Sequence, residues 1–494
     1  MFRKHTVFPV LFLFWLLGCE QPKTTKDDSL TVLLWGAPLT QNPNQDYDSV
    51  TDSVLFNAFE PLISLDKDLH LQPGLAVSWE NPQPDVWRFH LRKGVRFHDG
   101  TPLTAEIVRQ AFTHIKNAGY ETSSFLGPVK EFVPVDNLTI DLVTEAPYVL
   151  PIKLPFLYVF LKKETGPFPF VGTGPYRVTS WEPEKHVELE FYQSYWGGTP
   201  EFKSVEFIPV PDARKRWQML TAGQADIIYS IASYMAKGPI ERVEVFRRNG
   251  LAVYYLGFHL RKDATNPFQD LRVRKAIALA INKPELVLKV LQGYGSVPTQ
   301  PVAPLVFGYN PAIAAPQYDI RAAQKLMEEA NYANGFDSRF DFSESRVREA
   351  LFVKNQLGQI QIRLELNSMP RSSVYELAEQ GKSDLFLVGF DCSSGDAGEF
   401  YEFNLHTPDG NYGMGNYGGY SNPELDKICE HHNQVLSDRE RKKMLHRAAE
   451  IVMQDLPVIP VFMEDDLYAL KDSLIFEPRA EGQIRIFDVK HKQD

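Results

Sequence analysis

The sequence predicts an α/β protein of two or three lobes, and three observations carry that reading. Stretches with a helical apolar face alternate with short apolar strands, the order found where helices cover largely buried sheets. The chain has 494 residues, more than one hydrophobic core supports. No internal repeat of about 20 to 50 residues and no low-complexity tract interrupts the body, which excludes a solenoid or a fibrous protein.

The chain opens with MFRKHTVFPVLFLFWLLGCE, in which Arg3 and Lys4 precede an apolar run too short to span a bilayer. Residues 1–18 therefore read as a secretory signal. Leu16 to Cys19 resemble the lipobox of bacterial lipoproteins, which implies cleavage before Cys19 and attachment of lipid to it; an ordinary signal peptide or membrane anchor is the alternative. Residues 19–29 are polar and aperiodic, as a tether is. Cleavage removes Arg3 and Lys4 from the 52 basic residues and none of the 63 acids, taking the net charge from −11 to −13 and excluding a general nucleic-acid binder.

The first strand is LTVLLW. Alternating apolar positions follow in VWRFHLRKGVRF, and AEIVRQAFTHI places Ile107, Val108, Ala111, Phe112 and Ile115 on one helical face. HVELEFY, SVEFIPV, LAVYYLGFHL, QIRLEL, DLFLVGF and PVIPVFM are further strands. Among the helices, DLRVRKAIALAIN opens on Asp270 as N-cap, and YDIRAAQKLMEEANYANG opens on Asp319 and stops at Asn334-Gly335. Ser437 and Glu440 form a capping-box pattern for a helix that ends before Pro457.

Catalytic equipment is sparse. GTGPYR lacks the third glycine of a dinucleotide fingerprint, and no Walker Gly-Lys-Ser/Thr, GxSxG elbow or HExxH helix occurs. In ICEHH, helical spacing sends Cys429 and His432 to the core and His431 to solvent. Glu464, Asp465 and Asp466 read as a solvated charge run, and Ser393 or Ser394 beside Asp391 or Asp396 has no histidine nearer than His406. The residues call for no enzyme and no cofactor. With Cys19 lipidated, Cys392 and Cys429 allow at most one bridge.

Several stretches in order resemble the family 5 extracellular solute-binding proteins, the oligopeptide, dipeptide and nickel receptors of ABC importers. They are FEPLISLDKDLHLQPGLAVSWE with WRFHLRKGVRFHDGTPLTAEIVRQAF, GTGPYRVTSWEPEKHVELEFYQSYWGGTPEFKSVEFIPVPDARKRWQMLTAGQADI, DLRVRKAIALAINKPELVLKVLQGYG, YDIRAAQKLMEEANY and GYSNPELDKI. The resemblance implies a two-lobed periplasmic-binding-protein fold of the type II, three-subdomain form, with a ligand cleft between lobes joined by two hinge strands. Residues 30–57, 165–257 and 468–494 make lobe 1, 58–164 its middle subdomain and 258–467 lobe 2, with hinges near Leu256–Leu260 and Phe462–Leu470. It also implies a monomer that captures a short peptide or similar polar solute and delivers it to an inner-membrane permease, its body held outside the cell membrane by the lipid. A metal-chelate or oligosaccharide receptor of the same fold is the alternative, as is a sensor or structural protein that kept the fold.

Ligand contacts implied by the resemblance are Trp35, Tyr47 and Asp52 in the amino-terminal loop, Thr173 in GTGPYR, and Phe390, Asp391, Ser393, Asp396 and Tyr417 around GFDCSSGDAGEFYEF. Peptide-binding members place an aspartate three positions after the tryptophan of a Gly-Trp pair, where it pairs with the peptide's amino group. Here the pair is Gly389-Phe390 and the third position is Ser393, which accepts a hydrogen bond but supplies no charge. Either Asp391 or Asp396 takes over, or the ligand has no amino group there. For a chelate, Thr113 stands at one expected arginine position and Phe156 or Tyr158 near the other, leaving His406 as a candidate metal ligand.

Overall fold

The computed structural model describes residues 28–45, 49–231, 233, 235–236, 241–261 and 266–493, so the expectations for residues 1–18, Cys19 and Tyr47 fall outside the described residues. Ten strands form the path of one central sheet: β1 (Ser29–Leu34), β2 (Tyr176–Glu182), β3 (His186–Phe191), β4 (Ser204–Pro209), β5 (Ile227–Tyr229), β6 (Val243–Phe258), β7 (Phe336–Ser343), β8 (Ile362–Met369), β9 (Leu385–Asp391) and β10 (Val458–Lys471). Their order is β2-β3-β4-β1-β5-β10-β6-β9-β7-β8. β1 runs parallel to β4 and β5, and β7 runs parallel to β8 and β9. Each parallel group is the sheet of one lobe.

The long strands β6 and β10 pair antiparallel through the middle and carry the sheet from one lobe to the other. Between Asn249 and Val253 their register slips: four steps along β6 match two along β10, from Asp465 to Met463. Such a bulge bends the strand and sharpens its twist. Gly250 sits there because a Cβ would lie 2.4 Å from the Glu464 carbonyl oxygen. Beyond the slip, β6 takes β9 as its second neighbour from Ala252 onward, so the change of partner precedes the Leu256–Leu260 stretch expected to hold the hinge.

A four-stranded antiparallel sheet, Ala76–Gln83, Val86–Leu91, Thr139–Thr144 and Val129–Asp136, forms the middle subdomain. The helix Ala105–Ala118 packs on it. Thr104 accepts from the Ile107 amide at 3.3 Å to start the helix, Gly119 at φ 69° stops it, and Val108, Ala111, Phe112 and Ile115 are buried. Each such side chain contributes about 1.5–3 kcal/mol of burial. Gly172 belongs to the same core: a Cβ there would stand 2.0 Å from the Ala58 carbonyl oxygen.

Asp270 and Asp319 cap their helices, accepting from Arg272 at 2.8 Å and Ala322 at 2.9 Å. The second of these helices, Ile320–Glu329, ends a turn before Asn334-Gly335, because Asn331 already takes the left-handed conformation that asparagine tolerates. Ser437 stands at the N-cap of Asp438–Asp455 without a side-chain capping bond, and Leu456 closes that helix at φ 47°, just before Pro457. Cys429 and His432 are buried and His431 is exposed, as their spacing requires. Cys392 and Cys429 are both free thiols. No helix among the described residues is long and apolar enough to cross a membrane.

Candidate functional site

The bulge on β6 brings together acids far apart in sequence. On one side β9 ends with Asp391 opposite Ala252; on the other, β10 places Asp466 opposite Arg248. Glu464 lies on the same face of β10 as Asp466, since alternate residues share a face. The turn after β9 leads into the helix Ala397–Asn404, whose first turn contributes Glu399.

Asp391 is exposed, yet burial among the surrounding protein pushes its carboxyl up to about 8, with the Asp466 and Glu399 charges adding to the rise and Arg371 opposing it. Burial also raises Asp466 to about 7, against a hydrogen bond donated by Tyr229 at 3.3 Å and with Glu464 and Asp465 adding to the rise. Glu399 rises to about 7 by burial, although the Ser394 hydroxyl donates to it and Lys153 attracts it. None of the three has a salt bridge among the described residues.

The nearby cations are mostly committed elsewhere. Arg346 pairs with Glu464 at 2.7 Å, donates to the Tyr254 hydroxyl at 2.5 Å and lies 4.1 Å above that ring, which stacks on Phe462 at 4.7 Å. Arg247 holds Asp465 at 2.6 Å, and Arg248 holds Asp68 at 2.6 Å. The triplet 464–466 is therefore no solvated charge run: Asp465 is buried in an ion pair and its neighbours are half-buried on the crossing strand. Arg371 is exposed and bonds the Tyr375 hydroxyl at 3.3 Å. Lys153 is buried, and Tyr148, Glu402, Asp396 and Glu399 hold its ammonium well above the usual lysine range despite burial. Acids outnumber free cations around Asp391 among the described residues.

The structure separates the expected contacts. Asp396 caps Ala397–Asn404 by accepting from Gly398 at 2.9 Å, and both its oxygens are taken by buried Arg441 at 2.5 and 2.8 Å. Those bonds hold its carboxyl below the usual carboxylate range despite burial. It is a structural ion pair rather than a free acid. Thr173 is fully buried and donates to Glu60 at 2.8 Å, an acid that also takes the Tyr195 hydroxyl and the Trp196 ring nitrogen. Phe390 packs edge-on against Phe400, with ring centres 5.4 Å apart, inside lobe 2. Asp52 is buried in the helix Ser49–Leu55, whereas Trp35 is exposed. Ser393 is half-buried just past β9, and Tyr417 is half-buried with its ring 5.6 Å from Tyr375. His406 is buried beside Glu430.

Of Asp391 and Asp396, Asp391 alone lies among other acids whose carboxyls are raised. Those acids are Asp466, read from the sequence as part of a solvated charge run, and Glu399, not singled out there. The alternation of Glu464 and Asp466 along a strand was the available signal for one; Glu399 carried none, because only the turn of the following helix aims it.

The family model described as "Bacterial extracellular solute-binding proteins, family 5 Middle" matches residues 70–412. The heme-binding protein A of Haemophilus influenzae is 26% identical over 434 residues, covering 79% of this chain and 78% of the relative. The glutathione-binding protein GsiB of Escherichia coli is 25% identical over 451 residues, 86% of this chain and 87% of the relative. Among solved structures, the ABC transporter-associated periplasmic binding protein DppA of Helicobacter pylori, in complex with the peptide STSA, superposes with a TM-score of 0.78 at 21% identity over 94% of this chain and 98% of its own, a likeness of fold.

Proposed function

The chain belongs to the bacterial extracellular solute-binding proteins of family 5, and from that premise we propose that it captures a short peptide, or a polar solute of similar size with a free ammonium group, between its lobes. Family 5 proteins are transport receptors, and this one hands its solute to the permease of an ABC importer while lipid on Cys19 keeps it at the membrane. Asp391 is the observation that carries the reading. Ser393 has no charge and Asp396 is spent on Arg441, so Asp391 is the acid left near the register where peptide-binding relatives hold an amino group.

The chemistry follows from the surroundings. A carboxyl raised by burial and by like charges favours its neutral form until a cation arrives. An ammonium replaces the proton, and closure of the lobes removes water from the new pair, which strengthens it. Tyr375 and Tyr417 offer flat faces on which a side chain or amide plane stacks. Bending at the bulge of β6 against β10 supplies the closing motion.

Native mass spectrometry of freshly purified protein tests the reading, because a closed receptor retains its solute through purification. A mass increment equal to a short peptide or an amine-bearing solute is expected. A stripped, refolded protein then gains thermal stability with that compound, about 2.7 kcal/mol when it stands at one hundred times its Kd. An increment matching a solute without an amine, or no stabilisation by any peptide at millimolar concentration, refutes it.

A further inference from the structure

We propose that His406, Asp409 and Glu430 form a binding site for one divalent first-row transition-metal ion, zinc being the representative case. The donors come from the loop after Ala397–Asn404 and from the helix Pro423–His431, and none belongs to the acids around Asp391.

The argument starts from the histidine ring. The His406 side chain is 3% exposed, and its Nδ1 lies 2.5 Å from the Thr407 carbonyl oxygen. A carbonyl only accepts, so Nδ1 carries the hydrogen. Nε2 faces Glu430 at 3.4 Å, and Asp409 brings a carboxylate oxygen into the same cluster. Two carboxylates near one ring nitrogen call for a positive charge between them, a proton or a metal ion, and the 3.4 Å gap to Glu430 is long for a shared proton but matches a metal bridge. A metal-binding histidine has this arrangement, its second nitrogen fixed by a backbone carbonyl while the first is turned to the ion.

The spacing fits the same reading. One ligand atom from each of the three residues lies within 4.8 Å of the others. Bonds of about 2.0–2.1 Å in a tetrahedral zinc site put neighbouring donors about 3.3–3.4 Å apart, which is the separation of His406 Nε2 from Glu430. A small rotation of the Glu430 side chain, 42% exposed, brings the third edge in.

The site is held before any ion arrives. Asn416 donates to the His406 carbonyl at 2.9 Å, and Thr407 is tied to Asp426 through its amide at 2.9 Å and its hydroxyl at 2.7 Å. One oxygen of Asp409 accepts from the Asn411 and Tyr412 amides at 2.8 and 2.9 Å, leaving the other for an ion. Gly413, at φ 72°, passes so close to His406 that a Cβ would lie 2.3 Å from the His406 carbonyl oxygen. One imidazole with two carboxylates selects zinc or nickel over calcium and magnesium, which prefer oxygen alone.

The test titrates the purified chain, stripped with a chelator, with zinc ion alone by calorimetry and with cobalt(II) by its visible absorption. One equivalent is expected to bind, Asp409→Asn and Glu430→Gln should each weaken it at least about ten-fold, and calcium in excess should not displace it. Both carboxylates reach the surface, and circular dichroism verifies that the variants fold. Zinc binding that both variants retain, or no binding at micromolar zinc, overturns the proposal and leaves the three groups as an imidazolium ion pair. No solute of the cleft is needed, so the outcome stands apart from that of the proposed function.

Discussion

Replacing Asp391 with asparagine keeps the size and one carbonyl oxygen of the side chain but removes its charge. Truncating one partner of a desolvated charge pair costs about 2–5 kcal/mol. The lower half of that range applies, because Asp391 is exposed before closure and asparagine still accepts a hydrogen bond. A loss of about 2–3 kcal/mol corresponds to roughly a 30- to 150-fold rise in Kd for a peptide with a free amino end. Calorimetry on stripped, refolded protein measures it, with the same peptide acetylated at its amino end as the second arm of a double-mutant cycle. Wild type should prefer the free peptide by a similar factor, and the variant should bind both forms alike. Binding also expels the proton that the raised carboxyl holds at neutral pH, so the wild-type enthalpy should change with the ionisation enthalpy of the buffer and the variant's should not. A variant that binds the free peptide within three-fold of wild type, or a wild type indifferent to acetylation, refutes the assignment of the amino group to Asp391.

Stability of the ligand-free protein should fall as pH rises from about 4 to about 8. Asp391 and Asp466 keep protons to about 8 and about 7 in the folded protein, whereas the unfolded chain releases them near 3.8. The double variant Asp391→Asn, Asp466→Asn should flatten that slope in thermal melts across the range. Arg441→Met leaves buried Asp396 without its partner and should cost about 3–5 kcal/mol in urea denaturation. Asp396→Asn with Arg441→Met together should recover part of that loss. Gly172→Ala drives a methyl into the Ala58 carbonyl and should cost about 1–3 kcal/mol by the same measure, with affinity unchanged in the protein that remains folded.

What could be read in advance divides by range. Local chemistry was legible: Asp270 and Asp319 announce their helices because capping needs only neighbours along the chain. The helix after Asp319 stops earlier than expected because Asn331 takes a left-handed turn before Gly335 takes its own. The two-lobed fold came from the resemblance of several stretches in order, not from periodicity. Asp391 and Asp396 were equal candidates in sequence, and only the arrival of Arg441, 45 residues away, separates them. The same holds for Glu464, Asp465 and Asp466, which look like a surface run until Arg346, Arg247 and Tyr229 approach from three other segments. Long-range partners decide which acids are free, and a linear reading does not contain them.

The segment that follows β10 returns to the first lobe. Ile484, Ile486 and Val489 join the core of β1 and the middle subdomain, and Asn57 clasps that segment through the Ile484 carbonyl and the Ile486 amide at 3.1 and 2.8 Å. The part of the molecule made first on the ribosome is thus completed by residues made last, and lobe 2 has all its strands but β10 before then. The first lobe therefore cannot complete its core until residue 489 has emerged. A chain cut short after lobe 2 leaves that core unsealed and open to proteolysis.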